Sequence, residues 1–398
     1  MTPNDILHDS IGFWLRCGPD RENGGIYTSL GRDGEVYSSD KSVWMQGRAA
    51  WTFARYARLY PESRFAEEAA GMSRSCADFA ERYCRDMLRG GRMYFTVTAD
   101  GKPLRRRRYH FSESFFAMGC AELYRLSGEE RYLRLARDTY GLIDRLERGE
   151  RDPFAIPPKT EPTVRRLMPL SVPMIRLNLA MEMEDADPEK APLYRADAAD
   201  CVRDILGRHF RRDMRATLEN VTEDGDVLTD ISEGRLVNPG HDAECADFLM
   251  RYAERTGDST VLADALDMLR YAMERGADRE YGGIVYFADC LGRSVDIPEK
   301  RMKLWWVHTE AMSALHRASR LSSDPEFPRL FAQISDWTLS CFPDPDFGEW
   351  YGYLDPCGNP SSFAKGGLFK GPFHLPRAMM ALSEADGRQA GALAPKPR

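Results

Sequence analysis

The chain has 398 residues, 43% of them hydrophobic, and a formal net charge of −7 at pH 7. That composition can fill a large core, and it gives no electrostatic reason to expect nucleic acid or an acidic membrane surface as a partner. Nine scattered cysteines without a Cys-x-x-Cys pair argue against a disulfide framework or a thiolate zinc site and for a reducing compartment; with no signal-like N-terminus and no apolar run near the roughly 20 residues that span a bilayer, a cytoplasmic protein is expected.

The first predicted helix lies near 4–16. Gly24-Gly-Ile-Tyr-Thr-Ser-Leu-Gly-Arg-Asp-Gly then reads as strand, turn, strand. Residues 44–59 carry apolar residues at helical spacing, with Trp44, Trp51, Phe53 and Tyr56 among them. Tyr60-Pro-Glu-Ser breaks that pattern, and a second helix runs to about 88. The same punctuation returns at Ser127-Gly-Glu-Glu, Ala186-Asp-Pro-Glu, Thr256-Gly-Asp-Ser and Ser322-Ser-Asp-Pro, about 65 residues apart, the length of a helix pair with its connection.

Helix pairs are therefore predicted near 44–88, 110–147, 170–209, 240–276 and 303–341, joined by connections rich in hairpin signals. The basic run Arg105-Arg-Arg-Arg108 reads as a solvated loop or a partner for carboxylates. The proline-rich stretch 150–168 reads as a long loop. The last helix, near 372–384, and the first each lack a partner. Pairing them closes a ring of six hairpins, since neither end has the polar cap of an open solenoid. The expectation is one all-α domain over 1–398, an (α/α)6 barrel with short β-hairpins in its connections.

The N-terminal end of each inner helix carries residues a core would avoid. Arg48 opens the first, with His110, Ser112 and Glu113 on the second and Pro173 and Met174 on the third. His241 and Glu244 lie on the fourth, His308 and Glu310 on the fifth, and His374 and Arg377 on the last. In a closed ring these ends face one cavity. His241 and His374, far apart in sequence at two helix starts, are what proton transfer without a cofactor needs. His8, His209 and His316 fall outside the pattern. No metal-binding signature such as His-Glu-x-x-His occurs, so no metal is expected, although His241 and Glu244 share a helix face. A glycosidase carboxylate pair drawn from Glu113, Glu244 and Glu310 is an alternative. The run Gly366-Gly-Leu-Phe-Lys-Gly371 lacks the Lys-Ser/Thr ending of a phosphate loop and reads as a tight turn delivering His374. Lys370, inside it, has substrate, carboxylate or solvent open to it.

Six ordered blocks resemble the N-acylglucosamine 2-epimerase family, whose mammalian members are also called renin-binding proteins. They are Lys41-Ser-Val-Trp-Met-Gln-Gly-Arg48, Leu170-Ser-Val-Pro-Met-Ile-Arg-Leu-Asn178, Asn238-Pro-Gly-His-Asp-Ala-Glu244, Met302-Lys-Leu-Trp-Trp-Val-His-Thr-Glu310, Asp346-Phe-Gly-Glu-Trp-Tyr-Gly-Tyr353 and Lys365-Gly-Gly-Leu-Phe-Lys-Gly-Pro-Phe-His-Leu-Pro-Arg377. The resemblance implies the (α/α)6 barrel and reversible inversion at C2, interconverting N-acetyl-D-glucosamine and N-acetyl-D-mannosamine. Related branches act on mannose or cellobiose or isomerise aldoses to ketoses. The sugar isomerases and cellobiose epimerases of the family tend to carry a further histidine near Val172-Pro-Met174, which this chain lacks, and that favours epimerase over isomerase. A glycosidase or a pure binding protein stands further off.

On this resemblance His374 and His241 exchange protons with C2, Arg48 steadies the oxyanion at O1, and Glu244 and Glu310 orient histidines or sugar hydroxyls. Tyr109, Glu113, Asn238, Trp305, Trp306, Phe369 and Arg377 are expected to hold the sugar. No cofactor enters the chemistry. ATP as an allosteric activator and a homodimeric assembly are properties of family members that the resemblance brings with it.

Overall fold

The computed structural model describes residues 2–392, except 108, 153–154, 158–160 and 162, with side chains described through 383. Its helices are α1 (Pro3–Cys17), α2 (Val43–Leu59), α3 (Ala66–Tyr83), α4 (Phe111–Ser127), α5 (Glu130–Glu147), α6 (Ser171–Ala186), α7 (Ala191–Asp204), α8 (Pro239–Thr256), α9 (Ser259–Gly276), α10 (Trp305–Leu321), α11 (Glu326–Cys341) and α12 (His374–Ala392). Each of α2, α4, α6, α8 and α10 packs on the next even-numbered helix, and α12 returns to touch α2. The odd-numbered helices form the outer layer, α1 covering α12. This is the (α/α)6 barrel with the predicted closure. No helix among the described residues is long and apolar enough to cross a membrane.

Local sequence explains the helix ends. Thr2 and Asp5 form a reciprocal capping box on α1. The Asp258 carboxylate accepts from the Thr260 and Val261 N–H groups at the start of α9. Gly128 and Gly257 end α4 and α8 with positive φ. The inner helices are buried on almost every side. The outer ones keep one apolar face, as in α5, where Tyr132, Leu133, Leu135, Ala136, Thr139, Tyr140, Leu142 and Ile143 are buried. Glycines let α2 and α4 approach closely. A Cβ on Gly47 would lie 2.5 Å from the Phe115 carbonyl carbon, and one on Gly119 would lie 2.7 Å from the Gly47 oxygen.

The strands are shorter and less local than a hairpin reading implies. Within connections, 210–211 pairs with 216–217 and 96–97 with 103–105. Other pairs tie the entry of an inner helix to the exit of its outer partner. Lys41-Ser42 pairs with 96–97, 167–169 with 220–222, 236–237 with 288–289, and Lys303-Leu304 with 353–354. The proline-rich 150–168 stretch lies partly outside the described residues, as does Arg108 of the arginine run. Within that run, Arg107 stacks on Phe95 at 4.2 Å.

A buried ion pair recurs at three of these junctions. An Asp-x-x-x-Gly loop follows an outer helix at Asp20, Asp278 and Asp344. Each aspartate binds a lysine ahead of an inner helix: Lys41 at 2.7 Å, Lys303 at 2.7 Å and Lys365 at 2.8 Å. All three lysines are fully buried. Burial alone would raise the Asp20 carboxyl, but hydrogen bonds from Lys41, Tyr27 and Asn23 hold it well below the usual carboxylate range. Asp20→Ala strands the Lys41 ammonium in the core and is expected to cost about 3–5 kcal/mol in denaturant unfolding. Pairing Asp20→Leu with Lys41→Met should restore most of that loss.

Candidate active site

The N-terminal ends of the six inner helices surround a cavity of about 570 Å³. Six positive helix ends make it a favourable place for developing negative charge. His374, the first residue of α12, and His241, the third of α8, both line it. Trp306 of α10 stands between them, its ring 5.1 Å from the His241 centroid and 5.8 Å from that of His374.

Each histidine is oriented from behind. His374 Nδ1 donates to Glu310 Oε1 at 2.7 Å, and His241 Nδ1 donates to Glu219 Oε1 at 2.7 Å. With Nδ1 engaged, Nε2 is the nitrogen left for chemistry. Their environments push the two rings in opposite directions. Burial and the cation Arg48 take His374 well below the ordinary histidine value. Burial also pulls on His241, but the charge and hydrogen bond of Glu219 overcome it and leave that ring raised.

Arg48 lies one turn beyond Trp44 on α2. Its guanidinium is 4.1 Å from the Phe115 ring centroid and 4.7 Å from that of Phe373. Its Nε is buried without a hydrogen-bond partner, and burial pulls the group down to about 10. Among the described residues it makes no ion pair, Glu244 and Glu310 reaching it only through their charge, so it is placed to meet an anion in the cavity.

Glu244 and Glu310 share a single guanidinium: Arg377 donates to Glu244 Oε1 at 2.7 Å and to Glu310 Oε2. Donor atoms of Glu244, Glu310 and His374 all lie within 4.8 Å of one another. Three such groups suit a divalent ion by type. Here Arg377 already supplies the positive charge, and the His374 nitrogen nearest Glu310 carries a proton. An ion would have to displace both.

Several expectations need correcting. Arg377 does not line the cavity that holds the histidines. It serves the two glutamates and faces a second, charged cavity of about 510 Å³ at the opposite end of the barrel. Glu244 accepts from Arg377 and, among the described residues, bonds no histidine, but it lines the cavity, where the expected contact with a sugar hydroxyl stays open to it. Glu113 is fully buried, accepting from Arg92 Nε and Met93 N, both at 2.7 Å, outside the cavity. Asn238 caps α8, accepting from the Gly240 and His241 N–H groups, so it sets His241 and is absent from the cavity wall. Tyr109 is exposed, stacked on Phe111, and absent from the cavity wall. Trp305, Trp306 and Phe369 do line it, Phe369 at the lip against Trp44 and Phe95.

The other histidines are absent from the cavity wall. His308 accepts from the Ile284 N–H and donates to Leu304 O, and burial pushes it down to about 3. His110 bonds Glu147 at 2.8 Å.

Lys370 proves to be the partner of a carboxylate. Its ammonium donates to Glu349 Oε1 at 2.9 Å and to Lys365 O at 2.6 Å. Glu349 replaces the second glycine of the Asp-x-x-x-Gly-Gly loops and keeps a positive φ of 53°. Its other oxygen accepts from Ser10 and Trp14 of α1. The glycine-rich turn is therefore bolted between α1 and α12. At Gly366 a Cβ would lie 2.1 Å from Thr28 O, so the backbone packs where a side chain would collide.

Glu219 was not among the sequence candidates. It sits in a connection, and its backbone pairs with Leu170 and Leu236 at the entries of α6 and α8. That long-range pairing aims its carboxylate at His241.

Residues 25–378 match the family described as N-acylglucosamine 2-epimerase (GlcNAc 2-epimerase). An N-acylglucosamine 2-epimerase of Homo sapiens is 38% identical over 394 residues, 97% of this chain and 89% of that one. A cellobiose 2-epimerase of Ruminococcus albus is 23% identical over 397 residues, 94% of this chain and 96% of that protein. Among solved structures, a D-mannose isomerase superposes with a TM-score of 0.83 at 18% identity, covering 96% of this chain and 97% of that one.

Proposed function

The chain belongs to the N-acylglucosamine 2-epimerase family, an isomerase family, and from that premise we propose that it interconverts N-acetyl-D-glucosamine and N-acetyl-D-mannosamine. The observation that carries this reading is the pair of cavity histidines, each backed by a carboxylate and shifted in opposite directions. Groups whose environments drive them apart are an acid and a base at one pH.

In the ring-opened sugar C1 is a carbonyl, which makes the C2 proton removable. Neutral His374 takes that proton at Nε2. The electron pair moves toward O1, where the unpaired Arg48 cation meets the developing oxyanion. Protonated His241 then delivers a proton to the opposite face of C2, and the charge returns from O1. The product differs only in configuration at C2. His374 is left protonated and His241 neutral, and solvent resets both. The reverse reaction exchanges the roles.

A 2-epimerase of mannose or cellobiose is the second reading, supported by the weaker likeness to cellobiose 2-epimerases. The glycosidase reading is poorly served, because Glu244 and Glu310 share Arg377 and Glu113 is spent on Arg92. The test is incubation in D2O with N-acetylmannosamine, mannose and cellobiose, followed by NMR. The N-acetyl epimer should form with deuterium at C2. Turnover of mannose or cellobiose alone would replace this reading.

We further propose one catalytic domain spanning the chain, since all six inner helices reach the cavity. Cytoplasmic residence is supported by nine cysteines that form no disulfide. A homodimer and ATP as an allosteric activator rest on the family resemblance alone.

The competent enzyme carries one proton on the histidine pair, so activity should fall on both sides of a plateau. The acid limb follows His374, which must be neutral, and the alkaline limb follows His241, which must be charged. Glu219 raises His241, so Glu219→Gln should draw the alkaline limb to lower pH and leave the acid limb in place. A kcat/KM profile of wild type against variant reads this. A purely structural role for Glu219 would lower activity at every pH alike.

A further inference from the structure

The arginine run ahead of α4 has no part in the proton transfer. Arg107 stands over the rim of the histidine cavity, its guanidinium 4.2 Å from the Phe95 ring centroid and 5.5 Å from that of Phe369. Phe369 lines that cavity. Trp44 lines it too and packs against both rings, at 5.3 Å from Phe95 and 5.9 Å from Phe369. Stacking fixes the guanidinium on the rim and leaves its N–H edges to donate.

Arg92 and Arg377 donate to carboxylates. Arg105 and Arg107 do not. Both are exposed, and among the described residues neither side chain makes a hydrogen bond or an ion pair. Burial and the neighbouring Arg105 pull Arg107 below the ordinary arginine value, with no carboxylate offsetting them. Two like charges held together repel each other, and an anion between them relieves that repulsion.

The opposite rim carries the other sign. Glu299, in the short turn 298–301 ahead of α10, lines the cavity and pairs with no cation among the described residues. Around the ring the inner helices run α2, α4, α6, α8, α10, α12, so α10 faces α4 and the mouth is polarised across its width. Substrate geometry brings the remote end of the sugar here. Arg48, which takes O1, lies one turn, about 6 Å, deeper along α2 than Trp44. C1 therefore points down toward Arg48, and C3 to C6 run up from C2 toward the rim.

We infer that Arg107, with Arg105 beside it, forms an anion subsite at the mouth of the cavity that takes a phosphate monoester on C6 of the sugar. The inference rests on the epimerase reading, which fixes the reacting end of the substrate, and it adds a preference at the other end. Two adjacent cations suit a phosphate of nearly two charges better than a carboxylate of one, and a guanidinium edge matches two phosphate oxygens at once. Glu299 repels the same group from the α10 side, which sets its orientation. A phosphate on C6 leaves O1, C2 and the ring oxygen untouched, so ring opening and proton transfer proceed as for the parent sugar.

The experiment compares N-acetylmannosamine, its 6-phosphate and its 6-O-methyl ether, a neutral group at the same place, in binding by calorimetry and in turnover by NMR. At low salt the 6-phosphate should bind the wild-type protein about tenfold more tightly than the parent sugar, with kcat/KM higher by a similar factor. The gain should fade as salt is raised toward 1 M, where the screening length is about 3 Å. Arg107→Gln should bring the ratio of phosphate to parent close to one, and Arg105→Gln should lower it part of the way. Arg329→Gln, an exposed arginine on the outer helix α11, should leave the ratio where it is. Equal binding of phosphate and parent in the wild type overturns the subsite. So does a gain that the methyl ether reproduces, that Arg107→Gln leaves in place, or that Arg329→Gln removes equally. If no sugar turns over, the epimerase reading falls, while the binding measurements still decide the subsite.

Discussion

His374→Asn is expected to lower C2 proton exchange between about a hundredfold and ten-thousandfold, the span of a lost general base. Asparagine preserves the hydrogen bond to Glu310 through its amide and takes less space than imidazole. Thermal unfolding should therefore stay close to wild type while activity disappears. The sharper comparison is with His241→Asn. Its remaining base still removes the C2 proton, so deuterium should wash from solvent into recovered substrate while the epimer fails to appear. The two variants thus separate deprotonation from inversion. Exchange at the wild-type rate in both would end the two-histidine mechanism, and equal loss of exchange in both would end the division of labour between the rings.

Arg48→Met should reduce kcat about a hundredfold to a thousandfold, the effect of removing one preorganised oxyanion partner. KM should change much less, because the charge that Arg48 meets exists mainly in the transition state. Stability should move the other way. The guanidinium is packed between Phe115 and Phe373 with no ion pair among the described residues, so a methionine of similar length is expected to raise the unfolding temperature or leave it unchanged. Arg48→Lys is not expected to rescue activity, because a compact ammonium cannot reproduce a planar group stacked between two rings. A variant that lost stability along with activity would mark Arg48 as structural.

The breaks at Tyr60, Ser127, Ala186, Thr256 and Ser322 were enough to count the helix pairs, because proline, glycine and capping residues act locally. The unpaired helices at either end were enough to close the ring. Candidate residues were legible to the extent that helical phase was followed. On α8, His241, Glu244 and Phe248 share the face that lines the cavity, as do Trp44 and Arg48 on the inward side of α2. Glu113 fails that test. It lies about 200° around α4 from Phe111, which turns it away from the cavity and toward Arg92. Asn178 passes the test, four residues from Met174.

Partnerships across the ring were beyond any local pattern. That Arg377 serves two glutamates, that Glu219 stands behind His241, and that three lysines find three aspartates depend on distant segments meeting. Spacing along a chain carries no record of such meetings.

The last hairpin of the ring is made from both ends of the chain: α1 is its outer helix and α12, with His374, its inner one. Ser10 and Glu349, which help to seal it, stand 339 positions apart. On a ribosome α1 emerges ahead of the other eleven helices described and must wait, its apolar face uncovered, until α12 has been made. The closing contacts carry the largest loop entropy in the molecule. His374 thus takes its place in the cavity only when these contacts form, and a nascent chain has no complete cavity before its barrel is whole.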